Sequence, residues 1–489
     1  MTREHEREKI SSEDEATLSR MGYPQELSRR MSGFSNYAIS LSIICILAGG
    51  ITSFSVGFCS VGGAAIGIGW PLSCLLSLVV AATMAQVASA YPTAGGLYHW
   101  ASILGGRGWG WVTAWFNLAG LVTVLAAINA GAWDFVIGAL QLQLGERAAL
   151  VKALGVTLIT FSQALFNHKG IRVTTLLTDF SGWWILLVTI ALTAALLFGA
   201  SGLDFGRLFT FTNFSGEPGG NMVPPVPSMA WLFMLGLMLP AYTITGFDAS
   251  AHTSEETIGA AHNVPRGIVR SVLVSGIAGW LMLSAIVLAA PDVKQAAGQG
   301  SGAFFWIMNK TVRQPWANLL FAGIGLAQYF CGLATLTSAS RMAFAFARDG
   351  GLPAALRRVS PSARTPAFAI WTLATLAVLF MLVVPYVTIA AVCVIFLYIS
   401  YVLPTVAGYF AHGRSWKAMG PWQLGRWYRP MAVVSALFCL FLIVIGMQPP
   451  NQQAGWIVGG AVLLLAVVWF GFERKRFRGP PGVLGGASR

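Results

Sequence analysis

The sequence predicts an all-α polytopic membrane protein, and its composition and charge spacing carry that prediction. Hydrophobic residues make up 56% of the 489 positions and charged residues only 10%, whereas soluble domains carry about 25% charged residues. Three windows contain no Asp, Glu, Lys or Arg at all, namely residues 31–106, 365–413 and 430–472. Because a helix needs about 20 apolar residues to cross a bilayer, each window accommodates two membrane-spanning helices joined by an uncharged turn.

Apolar segments of sufficient length predict twelve membrane spans, which we number in chain order. Their predicted limits are residues 36–65, 68–89, 107–139, 150–167, 176–200, 229–258, 267–290, 317–346, 366–384, 386–410, 430–447 and 454–472. Spans 1–5 occupy residues 36–200 and spans 6–10 occupy residues 229–410, with a loop of residues 201–228 between the two groups. Spans 11 and 12 occupy residues 430–472. An even number of spans places both termini on the same side of the membrane.

The distribution of Lys and Arg predicts that this side is the cytoplasm. With both termini there, all but six of the 31 basic residues lie on cytoplasmic segments, as the positive-inside rule requires. The exceptions are Arg147, Lys152, Arg207, Lys294, Lys310 and Arg313. The net charge of +13 is therefore a signal of topology, and the scattered basic residues predict no nucleic-acid partner. We expect the loop of residues 201–228 to be extracellular and the protein to reside in the plasma (inner) membrane.

Both ends of the chain are predicted to be cytoplasmic tails, residues 1–35 and 473–489. Residues 1–30 mix acidic and basic side chains and contain no apolar stretch of a signal peptide. We expect this segment to be mobile, with a short amphipathic piece between Tyr23 and Leu27. The six cysteines lie in or beside apolar spans without a CxxC pair, which predicts helix packing and no disulfide framework.

Two spans contain clusters of Gly, Thr and Ser that interrupt an apolar helix. The residues concerned are Gly49, Gly50, Ile51, Thr52 and Ser53 in span 1, and Tyr242, Thr245, Gly246, Phe247 and Asp248 in span 6. Unwound backbone is tolerated at membrane depth only where it lines a polar cavity, and transporters place substrate sites at such breaks in two repeated halves. Because spans 1 and 6 lie five helices apart, the pattern predicts a 5+5 inverted repeat with discontinuous helices 1 and 6. The alternative is that these glycines only permit close helix packing.

Few acidic residues lie within the spans, and each is a candidate functional group because an ionised carboxylate at membrane depth is costly. Asp248 is the strongest candidate because it follows the break in span 6, and His252 lies one helical turn after it, within reach of a pairing. Asp134, near the outer end of span 3, and Asp179, near the inner end of span 5, have an alternative interpretation as interfacial residues.

No pattern of an enzyme active site is present. The sequence contains no HExxH, GxSxG or GxGxxG segment, and its six histidines are dispersed along the chain. We therefore expect no enzymatic activity, no cofactor and no metal site. The partners we expect are a small polar molecule, a coupling ion and the lipid bilayer, with the oligomeric state left open.

Three stretches give the chain a family resemblance. They are Tyr91 to Trp100 after span 2, Thr245 to Thr257 with Val264 to Ile268 around the end of span 6, and Ser340 to Pro353 at the end of span 8. Together they closely resemble the amino acid/choline transporter branch of the amino acid–polyamine–organocation superfamily, over about residues 28 to 475. The resemblance implies the fold of the bacterial leucine transporter, which has ten core helices in two inverted repeats and here two peripheral helices.

The resemblance also implies substrates such as 4-aminobutyrate, other amino acids, choline or polyamines. In relatives, the exposed backbone of helices 1 and 6 cradles the substrate, an aromatic residue on helix 6 gates it, and an acidic residue follows the break. These roles fall on Gly49 to Ser53, on Tyr242 with Phe247, and on Asp248. Two departures leave the coupling ion open: Gln86 stands where relatives commonly carry Glu, and span 5 lacks the lysine that replaces sodium in some proton-coupled members.

We therefore predict a permease that moves a small amino acid or amine by alternating access, coupled to protons rather than sodium or working by exchange. Free N–H groups at a helix break attract a carboxylate, whereas Asp248 and aromatic faces suit an ammonium. A zwitterion such as 4-aminobutyrate would use both. The alternatives are a choline or polyamine permease, a channel-like facilitator, and a transport-incompetent sensor of the same fold.

Charged residues are expected to close the cytoplasmic side of the site. They lie at the inner ends of spans 6 and 8: Glu255, Glu256, Arg341 and Arg348. We expect these ends to meet in a charge cluster that stabilises the outward-open state. The alternative is that the arginines only anchor the topology and the glutamates form a solvated helix end. The predicted coupling and gating residues are Asp248, Tyr242, His252, Glu255 and Arg341.

Overall fold

A computed structural model describes residues 3–384 and 386–481 as a bundle of α-helices. In chain order these are α1 (Arg3–Arg20), α2 (Gly33–Ile44), α3 (Phe54–Val61), α4 (Trp70–Ala90), α5 (Leu97–Gly105), α6 (Arg107–Leu140), α7 (Ala148–His168), α8 (Ile171–Gly199), α9 (Met229–Gly236), α10 (Met238–Thr243), α11 (Ala249–His252), α12 (Ala260–Ala289), α13 (Val293–Gly298), α14 (Ala303–Thr311), α15 (Trp316–Arg348), α16 (Ala367–Val383), α17 (Tyr386–Ala411), α18 (Tyr428–Gly446), α19 (Gln452–Val468) and α20 (Arg474–Arg476). Short π-helical segments occupy Ile46–Gly50, Ala65–Gly69 and Trp469–Glu473.

Within the described residues, ten helical segments are long and apolar enough to cross a membrane. The predicted class, an all-α polytopic membrane protein, is therefore confirmed. Two shorter apolar segments, Met229–Thr243 and Ala367–Val383, lie where spans 6 and 9 are predicted. Span 6 is short because its helix breaks after Thr243. The count of twelve spans stays a prediction. The structure adds α5, a helix between spans 2 and 3 that the sequence analysis does not assign.

Helices that lie five predicted spans apart pack against one another. α4 contacts α12, α6 contacts α15, and α7 contacts α16, which pairs spans 2 and 7, 3 and 8, and 4 and 9. The interrupted spans 1 and 6 also touch, through α2 with α11 and α3 with α9. Contact between counterparts is typical of two repeats related by a pseudo-two-fold axis, with the binding site at their interface.

The bundle has two ends, which we call the tail side and the loop side. The tail side carries residues 9–31, which contact the start of α12 at Gly259 and Ala260. The loop side carries residues 201–228, where Arg207 Nη1 donates to the carbonyl of Ala290, just beyond the end of α12. The 30 residues of α12 therefore run from one side to the other.

The N-terminal segment is packed against the bundle, so the expectation of a mobile tail is wrong for residues 9–31. Tyr23 and Leu27 are buried. The two carboxylate oxygens of Asp14 accept from the backbone N–H groups of Gly259 (2.7 Å) and Ala260 (3.1 Å). N–H groups at a helix start have no partner within the helix, and the helix dipole favours a negative charge there. The segment is thus fixed by a cap that it supplies to a distant helix.

Candidate functional site

The first span is interrupted at Cys45, four residues before the predicted segment Gly49 to Ser53, and most of that segment remains helical. α2 ends at Ile44, Cys45 departs from helical geometry (φ 16°, ψ 87°), and a π-helical turn follows over Ile46–Gly50 before α3 begins. Thr52 Oγ1 donates to the carbonyl of Ala48 at 2.7 Å. The side chain thereby contributes to satisfying backbone groups around the break, which would otherwise be unpaired at membrane depth.

The sixth span loses helical structure completely between α10 and α11. Residues 244–248 lie outside both helices, and Gly246 has a φ of +84°, a conformation that glycine adopts readily and other residues rarely adopt. A Cβ atom at this position would also overlap the side chain of Ile43 on α2. The N–H group of Gly246 donates to the hydroxyl of Tyr401 on α17 at 3.0 Å. Glycine therefore permits both the turn and the close approach of spans 1 and 6.

A cavity of about 20 Å³, which we call the central cavity, lies between the two breaks and the middle of α6 and α15. This volume holds about one water molecule, so the cavity must expand to admit an amino acid. Five of the predicted site residues line it: Gly49, Thr52, Tyr242, Thr245 and Gly246. The wall from α6 is apolar, with Val124 and Ile128 among its residues. From α15 come Gln328 and Cys331, which the sequence analysis missed. None of the described residues that line this cavity is Asp, Glu, Lys, Arg or His.

The other predicted substrate-binding residues lie outside this lining: Gly50, Ile51, Ser53, Phe247 and Asp248. Phe247 is fully buried, its ring packs 5.0 Å from that of Tyr401 between centroids, and its carbonyl accepts from Ser40 Oγ at 2.9 Å. Phe247 therefore faces the packing between spans 1, 6 and 10. Tyr242 is the aromatic residue of span 6 that reaches the cavity.

A second cavity of about 300 Å³ lies toward the loop side, and we call it the outer cavity. Its wall includes Met222 and Val223 of the loop of residues 201–228, together with Asn451 from the connection between α18 and α19. Thr52 and Tyr242 line both the central and the outer cavity. These two side chains therefore form the partition between them.

Asp248 is fully buried and surrounded by hydrogen-bond donors. The Tyr401 hydroxyl donates to Oδ1 at 2.7 Å, and Asn117 Nδ2 of α6 donates to Oδ2 at 3.1 Å. His252 Nε2 lies 3.2 Å from the same Oδ2, so the pairing that their spacing allows is present. Because Tyr401 also accepts from the N–H group of Gly246, one hydroxyl connects Asp248 to the backbone that lines the central cavity.

Two buried ion pairs lie on the tail side. Arg341 Nε lies 2.9 Å from Glu256 Oε2, with both side chains fully buried. Arg348 makes two hydrogen bonds to Glu255, at 3.0 and 2.8 Å, and the N–H group of Ala94 donates to Glu255 Oε1 at 3.1 Å. The structure thus brings together all four charged residues that the sequence analysis places here. We call these four residues the gate cluster.

The N-terminal segment covers the gate cluster. Gln25 Nε2 donates to the carbonyl of Glu255 at 2.8 Å, and Arg29 Nη1 donates to that of Thr257 at 2.6 Å. Arg29 also lies 3.7 Å from Asp14. Burial raises the pKa of the Asp14 carboxyl above its usual value, and the Arg29 charge opposes that rise. The packed segment therefore binds a proton at Asp14 more readily than a detached segment would.

Asp349, at the end of α15, lies within hydrogen-bonding distance of three side chains next to the gate cluster. Its Oδ2 accepts from the hydroxyls of Tyr23 (2.8 Å) and Tyr98 (2.9 Å), and His99 Nε2 lies 2.9 Å away. The guanidinium of Arg348 lies 3.9 Å from the ring centroid of Tyr23, a cation–π contact. This cluster could not be predicted from the sequence, because its members come from three separate segments and no local spacing relates them.

The remaining acidic candidates lie away from the central cavity. Asp134 is exposed and pairs with Lys152 of α7 at 2.8 and 2.7 Å, which fits the interfacial interpretation. Asp179 Oδ2 accepts from Ser35 Oγ at 3.0 Å near the start of α2. Gln86, singled out by the family resemblance, accepts at Oε1 from a backbone N–H group before α18 at 2.7 Å. The amide at this position therefore ties α4 to that loop.

Comparison with known proteins agrees with this arrangement. The family profile described as amino acid permease matches residues 31–472. The chain is similar to the amino-acid permease BAT1 of Arabidopsis thaliana. The two are 30% identical over an alignment of 505 positions, gaps included, which covers 96% of this chain and 97% of the relative. The chain is also similar to the GABA-specific permease of Saccharomyces cerevisiae, with 27% identity over an alignment of 502 positions that covers 96% of this chain and 86% of the relative.

Proposed function

The chain belongs to the amino acid permease family, whose members are transporters and not enzymes, and on this premise we propose that it is a secondary active transporter for a small zwitterionic amino acid such as 4-aminobutyrate. The fold we propose has twelve spans, with a leucine-transporter-type 5+5 inverted repeat and discontinuous helices 1 and 6. The contacts between spans five apart support this fold. We place the protein in the plasma membrane with both tails in the cytoplasm, following the positive-inside rule.

One observation carries the proposal: the central cavity lies between two helix breaks, with unequal barriers on its two sides. Toward the loop side, the side chains of Thr52 and Tyr242 separate it from the outer cavity. Toward the tail side lie the gate cluster and the N-terminal segment. Alternating access requires a site that each side can close in turn. The arrangement is that of a transporter closed to the cytoplasm.

The cavity lining favours a zwitterion over choline or a polyamine. A cation taken from water into an apolar site needs a counter-charge, and the described lining contains no carboxylate. A zwitterion has no net charge, and its two ends match the free N–H and carbonyl groups that helix breaks supply. Asp248 lies behind the lining, so we propose that it acts on the substrate through Tyr401 and Gly246 and not by direct contact.

For the coupling ion we propose a proton, with Asp248 as the group that accepts it. A carboxylate that accepts from Tyr401 and Asn117, with His252 Nε2 3.2 Å away, would gain or release a proton as those contacts change. Tyr401 would transmit the change to the backbone of the site. His252 is the neighbouring ionisable partner. Exchange of one substrate for another is the second candidate mode, because the same cavity and gate cluster serve it equally.

Uptake by proteoliposomes tests the proposal. The purified protein would be offered labelled 4-aminobutyrate, common amino acids, choline and putrescine in sodium-free buffer, with and without an inward proton gradient. We expect saturable uptake of an amino acid that the gradient accelerates. Uptake that does not saturate would indicate a channel-like facilitator, and binding without uptake would indicate a sensor. Preferential uptake of choline or putrescine would contradict the zwitterion assignment.

A further inference from the structure

We propose that Gln328 on α15 is the specificity-determining residue of the central cavity and that it selects neutral α-amino acids whose side chain carries a hydroxyl or carboxamide group. This inference rests on the proposed transport function and narrows its substrate class to α-amino acids, which excludes 4-aminobutyrate because that molecule has no side chain.

The amide of Gln328 differs from the other buried amides that the structure describes. Each of those makes at least one hydrogen bond to the protein: Asn36, Gln86, Asn117, Asn129, Gln163 and Asn167. Gln328 is only 1% exposed, and neither its Oε1 nor its Nε2 has a partner among the described residues. A buried amide without a hydrogen-bond partner destabilises the folded protein. Its presence here therefore needs a functional explanation. Its place in the cavity wall supplies one.

The position of Gln328 is fixed by the residues on either side of it. Gln163 Nε2 of α7 donates to the carbonyl of Tyr329 at 3.0 Å. Cys45 Sγ, at the break of span 1, lies 3.8 Å from the carbonyl of Ala327. Rotation of α15 that carried the amide out of the cavity wall would disrupt both contacts. The amide is therefore held in the wall of the central cavity, where a substrate that enters the expanded cavity can reach it.

The chemistry of an amide decides which substrates it favours. It offers two N–H donors and one carbonyl acceptor and carries no charge. The helix breaks supply backbone groups for the α-ammonium and α-carboxylate. A side-chain hydroxyl or carboxamide can both donate and accept, so it pairs with both halves of the Gln328 amide. An alkyl side chain leaves the amide unpaired, and a charged side chain finds no counter-charge among the described lining residues.

The test compares transport KM within two pairs of similar shape, asparagine with leucine and threonine with valine, in proteoliposomes. We expect the wild type to show a KM about tenfold lower for the polar member of each pair. Gln328→Met removes the donors and the acceptor at similar size, so it should raise the KM of asparagine and threonine only. Gln328→Asn keeps both groups and should restore part of the preference, which a purely packing role would not predict.

Gln86→Met is the matched control, since it makes the same change at a buried amide outside the cavity. It should lower the yield of folded protein and leave the KM ratios unchanged. Wild-type protein that takes up no amino acid at all would contradict the proposed function. Wild-type protein that transports leucine and valine at least as well as asparagine and threonine would overturn only the present inference, and this holds even if the Gln328 variants fail to fold. Unchanged KM ratios in a folded Gln328→Met variant would overturn it as well.

Discussion

The gate cluster and the central cavity differ in whether their buried polar side chains have hydrogen-bond partners. In the gate cluster, Arg341 meets Glu256 and Arg348 meets Glu255 at hydrogen-bonding distance, and the N-terminal segment adds further donors. In the cavity wall, the amide of Gln328 has no described partner. Separating the partners of a buried ion pair leaves uncompensated charge and is costly, whereas an unpaired amide is free to hydrogen-bond to a ligand. The difference fits the proposed roles, in which the gate cluster stabilises one conformation and the amide of Gln328 binds substrate once the cavity expands.

The largest expected effect follows from breaking an ion pair of the gate cluster. Glu256→Gln or Arg341→Gln leaves the other charge buried without its partner, which costs about 3–5 kcal/mol. We expect either variant to open the tail side and to reduce uptake. Opening would be measured by the labelling of a cysteine introduced between the gate cluster and the central cavity, and uptake by proteoliposome transport. The double variant should recover much of the loss, because no charge then remains unpaired.

The mismatched double variant Glu255→Gln with Arg341→Gln is the control for this cycle. It removes one member from each of two separate pairs, so no recovery is expected. Additive effects of Glu256→Gln and Arg341→Gln would argue against the ion pair as a gate and favour independent anchoring roles.

Asp248 tests whether charge matters next to the cavity. Asp248→Asn keeps the shape and some hydrogen bonds but removes the charge that Tyr401 and Asn117 donate to. We expect at least about a tenfold fall in uptake, or loss of its pH dependence between roughly pH 5 and 8, with normal folding. Tyr401→Phe should reproduce part of this effect, since it cuts the connection to Gly246. Wild-type uptake by Asp248→Asn across that pH range would show that the carboxylate is structural.

A smaller effect is expected where the N-terminal segment caps α12. Asp14→Ala removes the cap and should weaken packing of the segment by about 1 kcal/mol, seen as faster hydrogen exchange in residues 9–31. The pKa of Asp14 is raised in the packed state, so packing should strengthen as pH falls through that pKa toward the ordinary value. Asp14→Asn retains an acceptor for the cap and should abolish this pH dependence. If protection of residues 9–31 against hydrogen exchange increased with rising pH, the predicted direction of the pH dependence would be wrong.

The smallest effect is expected at Asp134. Its charge pair lies outside both the gate cluster and the central cavity and therefore serves as a reference. Its pair with Lys152 is partly exposed, and such pairs contribute about 1 kcal/mol or less. Asp134→Asn should therefore leave uptake, KM and thermal stability close to wild type. A loss of transport comparable to that of Asp248→Asn would mean that α6 and α7 contribute to the mechanism near their outer ends.

Features that leave a periodic or compositional trace could be predicted from the sequence. The interruption of spans 1 and 6 is visible as Gly and Thr within apolar runs, and the meeting of spans 6 and 8 follows from charges at ends on the same side. Even there, the pairing was not predictable: Arg341 binds Glu256 and not Glu255. That choice depends on helix rotation, which spacing does not reveal.

Features that depend on contacts between distant segments could not be predicted. Gln328 is one amide in an apolar helix, and nothing in its neighbours indicates that it lacks a partner. Asp14 becomes a helix cap only because the chain returns to it 245 residues later. Phe247 and Asp248 look like cavity residues in the sequence, yet the turn at Gly246 directs both toward span 10.

The continuity of α15 has a mechanical consequence. This helix runs unbroken from Trp316 to Arg348 and carries Gln328 partway along and Arg348 at its last turn. Twenty residues of α-helix measure about 30 Å. A rigid rod of that length acts as a lever arm: a tilt of about five degrees at Gln328 displaces Arg348 by about 2.5 Å, enough to separate a hydrogen-bonded pair. A small adjustment of the cavity wall to a ligand would therefore produce a larger displacement at the gate cluster.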